Sequence, residues 1–352
     1  MGYRDNIRQV TPYVPGEQPK VCGTLIKLNT NENPYPPSPM VREAVEAMPL
    51  SDMRLYPNVT AAPLAAALAK YHGVSEDRVF VGVGSDDVLA TCFLTFFAGN
   101  KPILFPDITY SFYDVWADLY KIPYKTVPLD GDFNIVADDY KQENGGVVIA
   151  NPNAPTSVAA PLSVIEKIIA ANTDSVVIID EAYVDFGGES ALSLLDKYDN
   201  LVVVRTFSKS RAFAGMRIGY AIAGKELIDA MNDVKFSINS YTMNCAAIQY
   251  GVKAVEDEAY FREMIKRVVD TRKWTVDALS KLGFSALESS ANFIFATHES
   301  IPAAEIFEYL KSRNIYVRYF KKPRIDNYLR ITIGTEEQMQ RLAEVLGEYV
   351  KK

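Results

Sequence analysis

Nearly continuous apolar runs, each closed by a polar or glycine-bearing turn, recur through the first two-thirds of the chain: Arg78-Val-Phe-Val81, Pro102–Phe105, Val147–Ala150, Val176–Asp180, Leu201–Phe207 and Ile218–Ala223. A strand with one wet face alternates apolar and polar residues, whereas a strand covered on both faces does not. These runs therefore predict a largely parallel sheet sandwiched between helices. The intervening segments have helical spacing. Ala62 to Tyr71 is rich in alanine and leucine and ends at His72-Gly73, a helix stop. After Gly82-Val-Gly84, the pairs Val88/Leu89, Cys92/Phe93 and Phe96/Phe97 repeat every four residues, with Ser85 as the expected N-cap.

The pattern changes near Tyr241. A long helical stretch runs to Leu282, followed by a strand at Asn292–Ala296, a helix at Pro302–Arg313, strands at Ile315–Arg318 and Tyr328–Ile333, and a closing helix from Thr335. This predicts a smaller α+β domain. Residues 1–40 are proline-rich and polar, an extended arm. The expected organisation is an arm at 1–35, a large domain at 36–245 and a small domain at 246–352.

Composition narrows the function. The 352 residues carry 44 acids against 37 bases, a net charge of −7, which argues against nucleic-acid binding and leaves no spare segment for a DNA-binding module. Bases do cluster between Arg313 and Arg330, enough for a small anion. Cys22, Cys92 and Cys245 are far apart and odd in number, so a disulfide framework is not expected and a cytoplasmic location is. With only His72 and His298, no histidine-based metal site is expected. No run is long and apolar enough for a membrane span, and the N-terminus has no signal-peptide pattern.

Ligands of such sheets bind at the carboxyl ends of the strands. Asp180 and Ser208-Lys209 fall there, as do Ser85 and Asn151–Asn153. An amine beside the cations Arg211 and Arg217 has a reason to be nucleophilic. A carboxylate closing Val-Val-Ile-Ile needs a cationic partner to be buried, either an arginine such as Arg205 or a protonated ring nitrogen. Gly82-Val-Gly-Ser-Asp-Asp87 lacks the third glycine of a dinucleotide fingerprint and reads better as a phosphate cradle at a helix start.

Taken together, the segments Leu28-Asn-Thr-Asn-Glu-Asn-Pro-Tyr35, Arg54-Leu-Tyr-Pro57, Gly84-Ser-Asp86, Thr109-Tyr-Ser-Phe-Tyr113, Asn151-Pro-Asn-Ala-Pro-Thr156, Asp180-Glu-Ala-Tyr-Val-Asp-Phe186, Arg205-Thr-Phe-Ser-Lys209 and Leu329-Arg-Ile-Thr-Ile-Gly-Thr335 resemble the fold-type-I pyridoxal phosphate (PLP) enzymes of the aminotransferase class I/II group, and within it the histidinol-phosphate aminotransferases. The resemblance implies a Schiff base between Lys209 and the cofactor, Asp180 on the pyridine nitrogen and Tyr183 on the ring hydroxyl. It puts Tyr110 against the ring and the phosphate between Ser85, Asp86, Ser208 and Arg217. Tyr56 is expected to reach the cofactor of a second subunit, so the implied partner is another copy of the chain in a homodimer. Arg318 and Arg330 are implied to hold the anionic end of the substrate, with Tyr13 and Asn33 beside it. The substrates implied are a small amino donor and a 2-oxo acid acceptor. Aromatic amino-acid aminotransferases and threonine-phosphate decarboxylases are similar on the same grounds.

This chain departs from the group in two places. Ala154 stands where an asparagine commonly meets the ring hydroxyl, so Asn153 or Asn151 is expected to take that contact; Ser157 stands where glycine is usual. Arg211 adds a cation after the lysine and is expected near the cofactor.

Overall fold

A computed structural model describes residues 2–19 and 25–351; Cys22 lies outside the described residues. Its main sheet has seven strands in the spatial order Val79–Gly82, Gly219–Ala223, Leu201–Thr206, Val177–Asp180, Gly146–Ala150, Ile103–Pro106 and Tyr124–Val127. All neighbouring pairs are parallel except those of Gly219–Ala223, which runs antiparallel to both its neighbours. The apolar runs behave as their pattern requires. In Leu201–Thr206, Leu201 and Val203 enter one core while Val202 and Val204 enter the core on the opposite face. Val147/Ile149 and Val148/Ala150 divide the same way. The edge strand Tyr124–Val127 was not expected, because its first three residues are exposed and leave no apolar run to read.

The second lobe has a four-stranded antiparallel sheet, ordered Arg318–Tyr319, Leu329–Thr332, Phe293–His298 and Phe284–Ala286. The helices Glu258–Ser280, Ala303–Ser312 and Glu336–Val350 cover it. Thr335 caps the last of these, its hydroxyl accepting from Gln338 N–H in a capping box. Ile26–Lys27 pairs in parallel with Ile315–Tyr316, so the end of the arm is tied to this lobe.

Two local boundaries differ from expectation. The helical stretch before Leu282 is broken at Asp257, which caps Glu258–Ser280 through the Tyr260 amide. The helix before the break, Cys245–Glu256, buries Ala247, Ile248, Ala254 and Val255 in the large-lobe core. Its Gly251 lies so close to Leu64 and Ile218 that a Cβ would stand 3.0 Å from each. Finally, the N-cap of Ser85–Phe96 is Gly84, at φ 87°, and Ser85 is the first helical residue. Among the described residues no helix is long and apolar enough to cross a membrane.

Candidate active site

The carboxyl ends of four parallel strands and the helix start at Ser85 converge on one recess. Ser85, Tyr110, Ala150, Pro152, Ala154, Asp180, Ala182, Tyr183 and Lys209 line its floor. The floor opens into a cavity of about 360 Å³ walled by Tyr13, Asn31, Tyr110, Arg318 and Arg330.

Asp180 is buried and has no cationic partner among the described residues. Its Oδ2 accepts from Tyr113 Oη at 3.0 Å and its Oδ1 from the Ala182 amide at 3.2 Å. Burial pushes its pKa up to about 6, the two hydrogen bonds opposing the rise. Arg205, the alternative partner weighed from sequence, is spent elsewhere. It meets Glu181 at 2.8 Å and Asp185 at 3.3 Å. Asp185 in turn accepts from Ser210 Oγ, so this ion-pair cluster anchors the backbone next to Lys209. Lys209 makes no ion pair among the described residues and stands 5.7 Å from the centroid of the Tyr183 ring. A lone buried carboxylate, a nearby unpaired amine and an aromatic wall fit a cationic, aldehyde-bearing heterocycle.

The phosphate end is equally well formed. The amides of Ser85 and Asp86 open a twelve-residue helix and donate to no protein acceptor among the described residues. Arg217, itself left-handed at φ 54°, lays its guanidinium across Gly84, where a Cβ would come within 2.4 Å of it. It also lies 3.6 Å from Asp86. Gly219 backs the same turn: a Cβ there would stand 2.3 Å from Ser85 N. Ser208 is buried, bonded to Thr206. Tyr110 is tethered by its hydroxyl to Asp86 at 2.8 Å.

At the mouth, Arg318 and Arg330 are register partners on adjacent strands. Arg330 is half-buried, with Nη2 on Asn29 O at 3.0 Å, its Nε buried and unpartnered, and no carboxylate paired with it among the described residues. Burial first, and then the neighbouring Arg318, push its pKa down. Two adjacent guanidiniums without a counter-charge are a receptor for an anion. Tyr13 stacks on Phe112 at 4.2 Å and lines the cavity.

Four residues assigned to the site from sequence, Asn153, Asn151, Asn33 and Arg211, lie outside the recess. Asn153 does not line the recess; its amide donates to Ile108 O and Thr156 Oγ1 and its oxygen accepts from Thr109. Asn151 is likewise closed on Ala160. Neither replaces the side chain missing at Ala154, because both brace the turn that holds it. Asn33 supports the lysine loop instead of facing the cavity, donating to Lys209 O at 3.0 Å and Ser210 O at 3.3 Å. Arg211 points away, boxed by Tyr71, Phe207 and Phe261 and bonded to Ala254 O. Tyr56 is exposed, stacked on Tyr241 at 4.5 Å, and is not part of this chain's own recess. Ser157 adopts φ 67°, the left-handed conformation glycine would take without strain. Two residues with no sequence-assigned role, Tyr113 and Asn31, touch Asp180 and Tyr183 directly. Only the spacing of Tyr113 from Tyr110 on one turn hinted at the first.

The family description "aminotransferase class I and II" matches residues 23–346. The chain is 52% identical over 347 residues to the histidinol-phosphate aminotransferase of Acinetobacter baylyi, covering 98% of this chain and 96% of that protein. Its fold superposes on the Sinorhizobium meliloti histidinol-phosphate aminotransferase solved with pyridoxal-5'-phosphate (TM-score 0.83, 23% identity, 93% and 91% of the two chains). It also superposes on the L-threonine-O-3-phosphate decarboxylase of Porphyromonas gingivalis (TM-score 0.78, 22% identity, 93% and 100%). These two likenesses are of fold alone, and the fold accommodates both amino transfer and decarboxylation.

Proposed function

We propose, on the premise that this chain belongs to the class I and II aminotransferase family, that it transfers an amino group from histidinol phosphate to 2-oxoglutarate, giving imidazole acetol phosphate and glutamate. The full-length likeness to the Acinetobacter baylyi enzyme supports the donor. The observation that carries the chemistry is Asp180, a buried carboxylate at the foot of the lysine recess with no cationic partner among the described residues.

When bound, PLP supplies an electron sink that makes the donor Cα acidic. The chain's residues do the rest. Asp180 holds the pyridine nitrogen protonated, and Tyr183 faces the ring oxygen. Tyr110 packs the ring. The helix start at Ser85 and Asp86, with Ser208 and Arg217, holds the phosphate. Lys209 Nζ anchors the cofactor and then carries the proton on and off the donor Cα. Arg318 and Arg330 take the donor phosphate and, in the second half-reaction, an acceptor carboxylate, with Tyr13 closing over them.

The partner is a second copy of the chain. Leu50, Met53, Leu55 and Tyr56 are all more than half exposed on one stretch, an apolar segment suited to a protein partner. A dimer covers it and brings Tyr56 to the other subunit's phosphate. The free, buried Cys92 suits a reducing cytoplasm.

The test is the visible spectrum of the holoenzyme, titrated separately with histidinol phosphate, phenylalanine and O-phosphothreonine. Bleaching by histidinol phosphate at far lower concentration supports the assignment. Equal response to phenylalanine, or carbon dioxide release from O-phosphothreonine, would overturn it.

A further inference from the structure

Asn31 sits behind the Tyr183 phenol, and no step above uses it. The side chain is buried and its backbone is left-handed at φ 56°. Its amide nitrogen donates to Tyr183 Oη at 3.0 Å. Its Oδ1 accepts from Thr332 Oγ1 at 3.0 Å, and Thr332 Oγ1 accepts in return from the Asn31 backbone N–H at 3.0 Å. Asn292 Nδ2 donates to Asn31 O at 3.0 Å.

This closed set fixes the orientation of the amide. Thr332 Oγ1 has no partners but Asn31 among the described residues, so its proton is spent on Asn31 Oδ1. A flipped amide would strand that proton in a buried site. The NH₂ group must therefore face the phenol. An oxygen that already receives a donor directs its own proton elsewhere, and Tyr183 Oη has no protein acceptor among the described residues. The open side is the recess, where Ala154 offers only a methyl group.

Building on the PLP reading, we infer that Asn31 is a positioning residue that aims the Tyr183 proton at the cofactor ring oxygen, doing so from a loop anchored on the small-lobe strand Leu329–Thr332. A proton donated to that oxygen stabilises its negative charge. The lysine-bound cofactor then gives up its own proton at lower pH.

The test is Asn31→Asp in the holoenzyme, read as the pH midpoint of the visible band. Aspartate keeps the acceptor for Thr332 and tolerates the left-handed backbone, but it turns the group facing Tyr183 from donor to acceptor and draws the phenol proton away from the recess. The midpoint should rise by about one to two pH units. Asn31→Gly, which also keeps the backbone, should raise it by less. In a Tyr183→Phe background Asn31→Asp should add almost nothing further. An unchanged midpoint, or an equal shift without the phenol, would overturn the inference. A wild-type protein with no lysine-bound band would instead defeat the cofactor reading.

Discussion

Replacing Asp180 by Asn should strengthen the cofactor-free protein while disabling it. In the folded chain the carboxyl titrates at about 6, against about 3.9 in an unfolded chain. The folded state thus binds the proton more tightly, and stability from this group is complete below pH 4 and lost as pH rises to 6. Two pH units correspond to about 3 kcal/mol of cost above pH 6. Asparagine removes the charge without opening a hole. Its oxygen can accept the Ala182 amide, 3.2 Å from Oδ1, and its NH₂ can donate to Tyr113, 3.0 Å from Oδ2. The expected gain is therefore about 1.5 kcal/mol at pH 5, rising to about 3 kcal/mol at pH 8. Urea denaturation of the two apoproteins across that range measures it directly. With PLP added, the order should reverse, because only the wild type offers the ring nitrogen a counter-charge and so gains more from binding. An Asp180→Asn apoprotein less stable than wild type at pH 8, or an advantage that does not grow with pH, would refute the electrostatic account.

Lys209→Ala should show no lysine-bound visible band with PLP and lose turnover by several orders of magnitude; a retained rate would sink the role given to the amine. Gly219→Ala puts a Cβ 2.3 Å from Ser85 N, and the displaced cradle should bind PLP about tenfold or more weakly, as equilibrium dialysis would measure. Arg330→Gln should raise KM for histidinol phosphate about 10- to 100-fold with the cofactor spectrum unchanged. Arg211→Leu should destabilise by about 1–3 kcal/mol in urea, because it deletes the bond to Ala254 O and the aromatic contacts, yet leave donor preference untouched; a changed preference would return Arg211 to the site.

Much of this architecture was legible in the chain because its signals are local. Apolar runs without polar alternates can only be strands covered on both faces, and all six were found within a residue or so of their ends. What escaped depended on neighbours distant in sequence. The strand Phe284–Ala286 is too short to carry a period, and Tyr124–Val127 is too exposed. Cys245–Glu256 has an amphipathic face that suits either lobe, and its fit against Met40–Ala47 and Ala62–His72 assigns it. At the site, nearness to Lys209 in sequence does not bring Arg211 to the cofactor, and Asn33, assigned to the substrate by resemblance alone, meets the lysine loop from 176 residues away. The backbone turn after Lys209 sends Arg211 into an aromatic box and leaves Asn33 holding the turn from below.

Asp180 and Glu181 are adjacent acids at the end of one strand, both buried, and their surroundings separate a ligand-facing acid from a structural one. Glu181 is answered on every side: Arg205 pairs with it, Ser190 donates at 2.7 Å and the Ala191 amide at 2.6 Å. Asp180 receives two neutral donors and, among the described residues, no cation. A buried charge fully met within the chain stabilises the fold and has nothing left to offer a ligand. One met only in part carries a free-energy cost that a cationic ligand can remove. Arg330 bears the opposite charge in the same incomplete state at the mouth of the cavity. The recess thus holds an unmet negative charge at its floor and the unmet positive charges of Arg330 and Arg318 at its mouth, with Lys209 and the wall aromatics around them. A ligand that carries a cationic ring, joined to a donor with an anionic tail, relieves both at once.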